Sequence, residues 1–292
     1  MQIGLINVPI YPTISPSEYE YIFDHAEIKY VFISDKLLRK KILPALSKSN
    51  QIKGVFTFDE VEEVQHWKTL FTNEKIEQID TIKNKIQDDE VATIIYTSGT
   101  TGIPKGVMLS HKNIMSNVLD CAQVVPIDYK DKVLSFLPLC HVFERILNYT
   151  YMYNGASVYY ADGLESIANN LNDIRPQYFA SVPRLMEKIY ENILRKSRKL
   201  SPTKRKLFNW SLKIAEFTPI DGSASAIQKF KLAIADKLVL NKWRAAVGGQ
   251  VKAIICGSAP LQPRLATIFN NAGIPLLEGY GLTETSPVLT VN

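Results

Sequence analysis

Eleven consecutive residues, Tyr96-Thr97-Ser98-Gly99-Thr100-Thr101-Gly102-Ile103-Pro104-Lys105-Gly106, concentrate the groups that hold a polyphosphate. Three glycines open backbone angles closed to other residues and let a ligand approach the main chain. The hydroxyls of Thr97, Ser98, Thr100 and Thr101 and the local amides can donate to phosphate oxygens, and Lys105 adds a fixed positive charge. The pattern is not a Walker A loop, which ends Gly-Lys-Ser/Thr and opens a helix; here Pro104 precedes the lysine and Gly106 follows it. The bland alternative is a flexible Gly/Thr hairpin. A Pro-Lys-Gly clamp between two strand-like runs, Val91–Tyr96 and Val107–Leu109, speaks against it.

Such a loop needs a rigid frame. Strand-like runs, β-branched and aromatic, lie at Tyr30–Ser34, Gly54–Phe58, Val91–Tyr96, Val133–Leu137, Ser157–Tyr160, Tyr178–Val182 and Val251–Cys256. Helical patterns separate most of them, one opening with the capping box Ser15-Pro16-Ser17-Glu18. The alternation predicts an α/β fold of layered, parallel-rich sheets with helices on both faces.

From Arg184 to Lys252 the composition changes, with 16 basic against 5 acidic residues, a local +11 that leaves −6 for the rest. Its period is helical: Leu185, Ile189 and Ile193; Leu207, Trp210, Ile214 and Phe217; Ile227, Phe230 and Ile234. These predict helices with a buried apolar stripe and a cationic back. That back is either a solvated face or, through 184–252, a peripheral contact with anionic lipid.

The 292 residues carry 34 Lys+Arg and 29 Asp+Glu, and a net +5 is too mild to indicate a nucleic-acid partner. No apolar run approaches the roughly 20 residues of a spanning helix. The start lacks the pattern of a signal peptide. Three widely spaced cysteines, Cys121, Cys140 and Cys256, suit neither a disulfide framework nor a zinc site, which predicts a cytoplasmic chain, peripheral at most to the inner face of a membrane. Apolar lead-in and abrupt end read as a fragment of something longer.

The loop Tyr96–Gly106 resembles the phosphate-binding signature of the adenylate-forming (AMP-binding) enzymes. Gly257-Ser258-Ala259-Pro260-Leu261 and Glu278-Gly279-Tyr280-Gly281-Leu282-Thr283-Glu284-Thr285 match the same family in order and spacing. The resemblance implies that Gly279 and Gly281 leave the Tyr280 ring open for adenine, sandwiched against Gly257, Ser258, Ala259 and Pro260. It implies that Thr283 donates to the α-phosphate, and that Glu284 binds Mg2+, which prefers hard oxygen ligands. A structural tyrosine and an ordinary surface glutamate are the plain alternatives.

Within the family, Pro138-Leu139-Cys140-His141-Val142-Phe143-Glu144-Arg145 and Val182-Pro183-Arg184-Leu185-Met186-Glu187-Lys188 resemble the long-chain fatty acyl-CoA synthetases. The resemblance implies a reaction of ATP with a long-chain fatty acid to an acyl-adenylate and then, with coenzyme A, to acyl-CoA. His141 would be the polar contact beside the reacting carboxylate, or merely a packing residue. The implied layout is an α/β subregion over 1–88, a phosphate-loop and acyl-site subregion over 89–183, a basic helical segment over 184–250 and an adenine subregion over 251–292. Family members continue to a ribose-binding aspartate, a hinge and a C-terminal domain with a catalytic lysine, so the resemblance predicts an incomplete, poorly active piece. An acyl-AMP ligase serving a carrier protein and a non-catalytic nucleotide-binding relative remain as alternatives.

Overall fold

The computed structural model describes residues 3–72, 76–98, 102–163 and 165–292, and the chain divides into two units, Met1–Asn113 and Ile114–Asn292.

In the first unit, α1 (Pro16–His25) starts at the predicted capping box. The Ser15 hydroxyl accepts from the Glu18 amide, and the Glu18 carboxylate accepts from the Ser15 amide. Strands β1 (Tyr30–Ile33), β2 (Gly54–Thr57) and β3 (Gln65–His66) form a parallel sheet in that order, with α2 (Lys36–Lys48) between the first two. Asp35 caps α2 by accepting from the Leu37 and Leu38 amides. Tyr19 and Phe23 of α1, Val31 and Ile33 of β1, and Ile42 and Ala45 of α2 close one core. Beyond α3 (Ile76–Lys83), β4 (Val91–Thr97) and β5 (Lys105–Ser110) pair antiparallel, and α4 (His111–Val124) follows directly. Asn7 bridges to β4, its carbonyl accepting from the Ile94 amide and the Thr93 hydroxyl.

The second unit is built on six strands: β6 (Lys132–Ser135), β7 (Ser157–Tyr160), β8 (Tyr178–Ser181), β9 (Ala253–Cys256), β10 (Leu276–Gly281) and β11 (Val288–Val291). Their order is β11-β10-β9-β8-β6-β7, and every pairing is parallel except the edge pair of β10 with β11. Central strands β8 and β9 are buried at every residue, which is why they read as unbroken apolar runs rather than alternations.

Period-two geometry sends alternate residues of these strands to opposite faces. Val133, Tyr178, Ala180, Ala253 and Ile255 meet Leu147 and Tyr151 of α5 (Val142–Tyr153). Leu134, Phe179, Ile254 and Cys256 meet the other layer: α6 (Ile167–Ile174), α7 (Pro183–Ser197), α8 (Pro202–Phe217), α10 (Asn241–Arg244) and α11 (Pro263–Asn271). Trp243 of α10 lies at the centre of that layer, its ring against Tyr190, Phe208 and Phe269. The predicted α/β class with helices on both faces is the fold observed here.

The basic segment is helical as predicted, through α7, α8, α9 (Ala226–Ala235) and α10. The expected apolar stripe is buried only in part: Ile193 is covered and Ile189 and Ile214 pack against the core, and the rest differs. In α7 the buried line runs through Met186, Tyr190 and Ile193, and Leu185 and Ile189 flank it half-buried. In α8 the small residues Ser211 and Ala215 go inward with Phe208, and Trp210 and Phe217 face out. Of α9 only Ala235 is buried, and Ile227, Phe230 and Ile234 are exposed. Small residues suit close approach of packed helices: Asn271 of α11 reaches the Ala215 carbonyl at 2.7 Å.

Phe179 is fully buried between the two layers, so Phe179→Ala is expected to lower stability by about 3–5 kcal/mol, read as a shifted midpoint in urea unfolding.

Candidate functional site

In the first unit, register sets the loop. Thr97 pairs with Lys105 and Tyr96 with Gly106, so residues 98–104 form the connection between β4 and β5. Gly99, Thr100 and Thr101 lie outside the described residues. Gly102 takes φ +81° with open space where a Cβ would sit, so backbone conformation calls for glycine there. Gly106 is glycine for packing: a Cβ would lie 2.9 Å from Ile94 Cγ2. Ser98 and Lys105 are exposed, Thr97 is half-buried, and Lys105 makes no ion pair among the described residues.

The base of this loop is held from the side by α1. The Tyr21 hydroxyl donates to the Pro104 carbonyl at 3.2 Å, and His25 Nδ1 lies 2.7 Å from the Tyr96 hydroxyl. Burial raises the Tyr96 hydroxyl to about 12, so it stays a neutral hydrogen-bonding group through the physiological range.

In the second unit, the parallel sheet gathers the other predicted residues. Ser181 of β8 stands opposite Cys256 of β9, and Cys256 opposite Glu278 of β10. Because these strands run the same way, their carboxyl ends emerge along one edge, where open α/β sheets present ligand sites. The β6 exit leads to His141, the β8 exit to Val182-Pro183-Arg184, the β9 exit to Gly257-Ser258-Ala259-Pro260, and β10 itself ends in Gly279-Tyr280-Gly281.

Contacts bind these exits to one another. A Cβ on Gly257 would meet the Phe143 ring at 2.9 Å, so glycine there lets the β9 exit pack on the first turn of α5. The Gly257 amide donates to the Ser181 carbonyl at 3.1 Å, and the Leu261 amide to Glu278 Oε1 at 3.5 Å. Ser258 holds φ +69°, a strained angle for a residue with a side chain, and Ser258, Ala259 and Pro260 are all exposed.

The two glycines around Tyr280 differ. The nearest atom to a Cβ on Gly279 would be Cys256 O at 4.0 Å, whereas on Gly281 it would be Pro287 O at 1.8 Å. Gly281 therefore allows the chain to fold back into β11, and Gly279 leaves open the space beside a Tyr280 that is 62% exposed. Thr283 is half-buried and Glu284 exposed, in a single turn fastened by Thr285 Oγ1, which accepts from the Leu282 amide at 2.9 Å. The exposed Tyr280 excludes the reading of a buried structural tyrosine.

Around Glu284, as elsewhere among the described residues, there is no group of three His, Cys, Asp or Glu able to hold a metal. That donor set fits Mg2+ arriving on substrate phosphates, which needs only one or two protein carboxylates, and not a resident ion in a protein cage.

His141 is the N-cap residue of α5, its ring exposed and its amide donating to the Pro138 carbonyl at 3.0 Å. Sequence reasoning passed over its neighbour Glu144. This carboxyl is 1% exposed, and Oε1 accepts from the Ser135 hydroxyl and from Asn148 Nδ2. Asn148 Nδ2 also donates to Ser135 Oγ at 3.0 Å, so three side chains tie the end of β6 to α5 across the segment that carries His141. Burial raises Glu144 to about 7, against the opposing pull of those hydrogen bonds. Among the described residues its Oε2, Asn148 Oδ1 and the Tyr151 hydroxyl have no side-chain hydrogen-bond partner. The available signal was a glutamate inside an apolar helical run, with an asparagine one turn later.

The sequence profile of the family described as "AMP-binding enzyme" matches residues 1–292. The chain is 30% identical over 312 aligned residues to Long chain acyl-CoA synthetase 1 of Arabidopsis thaliana, an alignment taking in 96% of this chain and 45% of that one. Its fold is similar to the adenylation domain of a carboxylate reductase from Mycobacterium chelonae, with TM-score 0.70 and 20% identity over 98% of this chain and 44% of that one. It is also similar to ATP-bound MatB from Rhodopseudomonas palustris, with TM-score 0.64 and 20% identity over 98% of this chain and 46% of that one. The chain thus spans less than half the length of each.

Two outcomes are expected. Gly281→Ala will destabilise the chain by about 1–3 kcal/mol in thermal unfolding, and Gly279→Ala by much less, because only the first Cβ meets backbone. For Glu144 the folded state holds its proton up to about pH 7, whereas an exposed glutamate loses it near the ordinary 4.5. The stabilising contribution is therefore complete below ~4.5 and declines as pH rises to about 7, by about 3 kcal/mol in all. Urea midpoints measured across that range should fall with pH, and Glu144→Gln should flatten the decline.

Proposed function

Because the chain belongs to the AMP-binding enzyme family, we propose that it forms the nucleotide-phosphate and acyl-binding part of an ATP-dependent activator of long-chain fatty acids. In the proposed reaction a carboxylate oxygen attacks the α-phosphorus of ATP, the bond to pyrophosphate breaks, and an acyl-adenylate forms. The thiol of coenzyme A then takes the acyl group and AMP leaves.

Both reactants are anions, so the first step requires charge neutralisation and alignment rather than an enzyme nucleophile. Thr97, Ser98, Gly99, Thr100, Thr101 and Gly102 would supply hydroxyl and amide donors to the phosphates, with Lys105 as the cation. Tyr280 would offer its open ring to adenine, with Gly257, Ser258, Ala259 and Pro260 on the far face of the base. Thr283 would donate to the α-phosphate, and Mg2+ carried by ATP would take Glu284 as a protein ligand and neutralise phosphate charge. His141 would meet the carboxylate, held in place through Glu144 and Ser135.

The observation that carries the reading is the exposed Lys105, without an ion pair among the described residues, where β5 leaves a loop that holds Gly102 at φ +81° and is braced by Tyr21. A hairpin that served only to connect β4 and β5 would need neither the cation nor the bracing. The long-chain substrate is supported by the Arabidopsis relative, named a long chain acyl-CoA synthetase. A long apolar tail also fits general energetics, since each buried CH2 contributes about 0.8 kcal/mol.

The test is binding of ATP with Mg2+, measured by titration calorimetry on the chain and on Lys105→Ala. Loss of a charge-assisted hydrogen bond is expected to weaken affinity by about ten- to a hundredfold. Unchanged affinity would remove the loop from the site. Pyrophosphate release with palmitate, followed by acceptor assays with coenzyme A and with an acyl-carrier protein, would then identify the acid and the thiol.

A further inference from the structure

Apolar residues of α8 and α9 face outward in two exposed rows. On α9, Ile227, Phe230 and Ile234 follow one another at helical spacing, with Ile227 67% and Phe230 68% exposed. On α8, Trp210 and Phe217 share one face, two turns apart, and Phe217 is 71% exposed. The two helices pack on each other, so both rows belong to one hairpin.

Lysines border these rows. Lys206 and Lys213 alternate with Trp210 and Phe217 along α8; Lys231 lies one turn from Ile227 and from Ile234. Two of the three acidic residues of the same stretch are paired, Glu216 with Arg264 at 2.8 Å and Asp236 with Arg244 at 2.7 Å, and Asp221 in the connecting loop accepts from Ser223. Among the described residues Lys206, Lys213 and Lys231 make no ion pair. The arginines thus pair with two of the three acids, and three lysines stand beside bare aromatic and aliphatic side chains.

We propose that the α8–α9 hairpin docks the chain on an anionic lipid surface, with Ile227, Phe230 and Phe217 entering the interfacial region and the lysines meeting headgroup phosphates. Long lysine stems suit this place, because they lie along apolar surface and keep the ammonium group in the polar layer. A second copy of the chain fits less well, since a two-fold contact would set these lysines against themselves. No described helix is long and apolar enough to cross a membrane, so the contact lies in the interface. The inference stands apart from the nucleotide reading and survives if that reading fails.

Co-sedimentation with vesicles tests it, comparing phosphatidylcholine alone with phosphatidylcholine containing about one-third phosphatidylglycerol. The chain should bind the anionic vesicles and lose binding as salt rises. Ile227→Asn with Phe230→Asn should lower the partition coefficient at least about tenfold, and Lys213→Gln with Lys231→Gln about fivefold per lysine. Leu37→Asn, at a residue 81% exposed on α2, should leave it unchanged. Circular dichroism confirms that each variant is folded. Equal binding to both vesicles, or no effect of the Ile227/Phe230 pair, would overturn the proposal. So would an oligomer in sedimentation velocity that the same pair dissolves, because the face would then be covered by protein.

Discussion

The second unit depends on the parallel register of β8, β9 and β10. Ser181, Cys256 and Glu278 stand abreast, so the residues that follow each leave the sheet at the same level. Parallel strands require long crossovers, and the crossover from β8 to β9 is the whole of α7 through α10. The basic helical region is thus the connection that lets two neighbouring strands point the same way. Its inner residues seal one face of the sheet around Trp243, and its outer residues are left to meet something else.

Close approach of backbone shapes the strand exits. Gly257 lets Phe143 press against the end of β9, and Gly281 brings the main chain of β10 against that of Pro287. Each permits a contact that a methyl group would block. The first links the β9 exit to α5, and the second turns the chain back so that Tyr280 stands in the open. Glu144 works at the β6 end by different means. A carboxyl buried to 1% exposure and raised to about 7 keeps a substantial protonated share near neutral pH, and its Oε1 accepts from both Ser135 and Asn148 as a hydrogen-bonding strut. Such a group trades stability for a defined position of the segment ending in His141.

The hairpin in the first unit follows another logic. It is antiparallel, its register brings Thr97 opposite Lys105, and it is supported at its base by Tyr21 and by the His25–Tyr96 pair. Its described loop residues turn outward, and Lys105 makes no ion pair among the described residues. Donors and cation are thereby left for a ligand, and the scaffold that holds them needs no charge of its own.

Much of this was readable in the order of the residues. The capping box at Ser15, the strand runs around Phe32, Phe56, Phe179 and Ile255, and the glycine pattern around Lys105 and Tyr280 are local signals, and local rules of backbone conformation and hydrogen bonding decide them. Strand ends shifted by one or two residues: Phe136 and Leu137 leave the sheet although their types suit it, because β7 and β8 offer no partner there. Tertiary structure alone decided which apolar residues are covered. Ile227, Phe230 and Phe217 have the spacing of a core stripe, yet Ser211 and Ala215 were buried instead, because helix contact is set by how closely two backbones approach and spacing alone carries no record of the neighbour. The same holds for Glu144, whose proton affinity is raised by burial against the pull of a hydrogen bond from Ser135, nine residues away in sequence and on a different element.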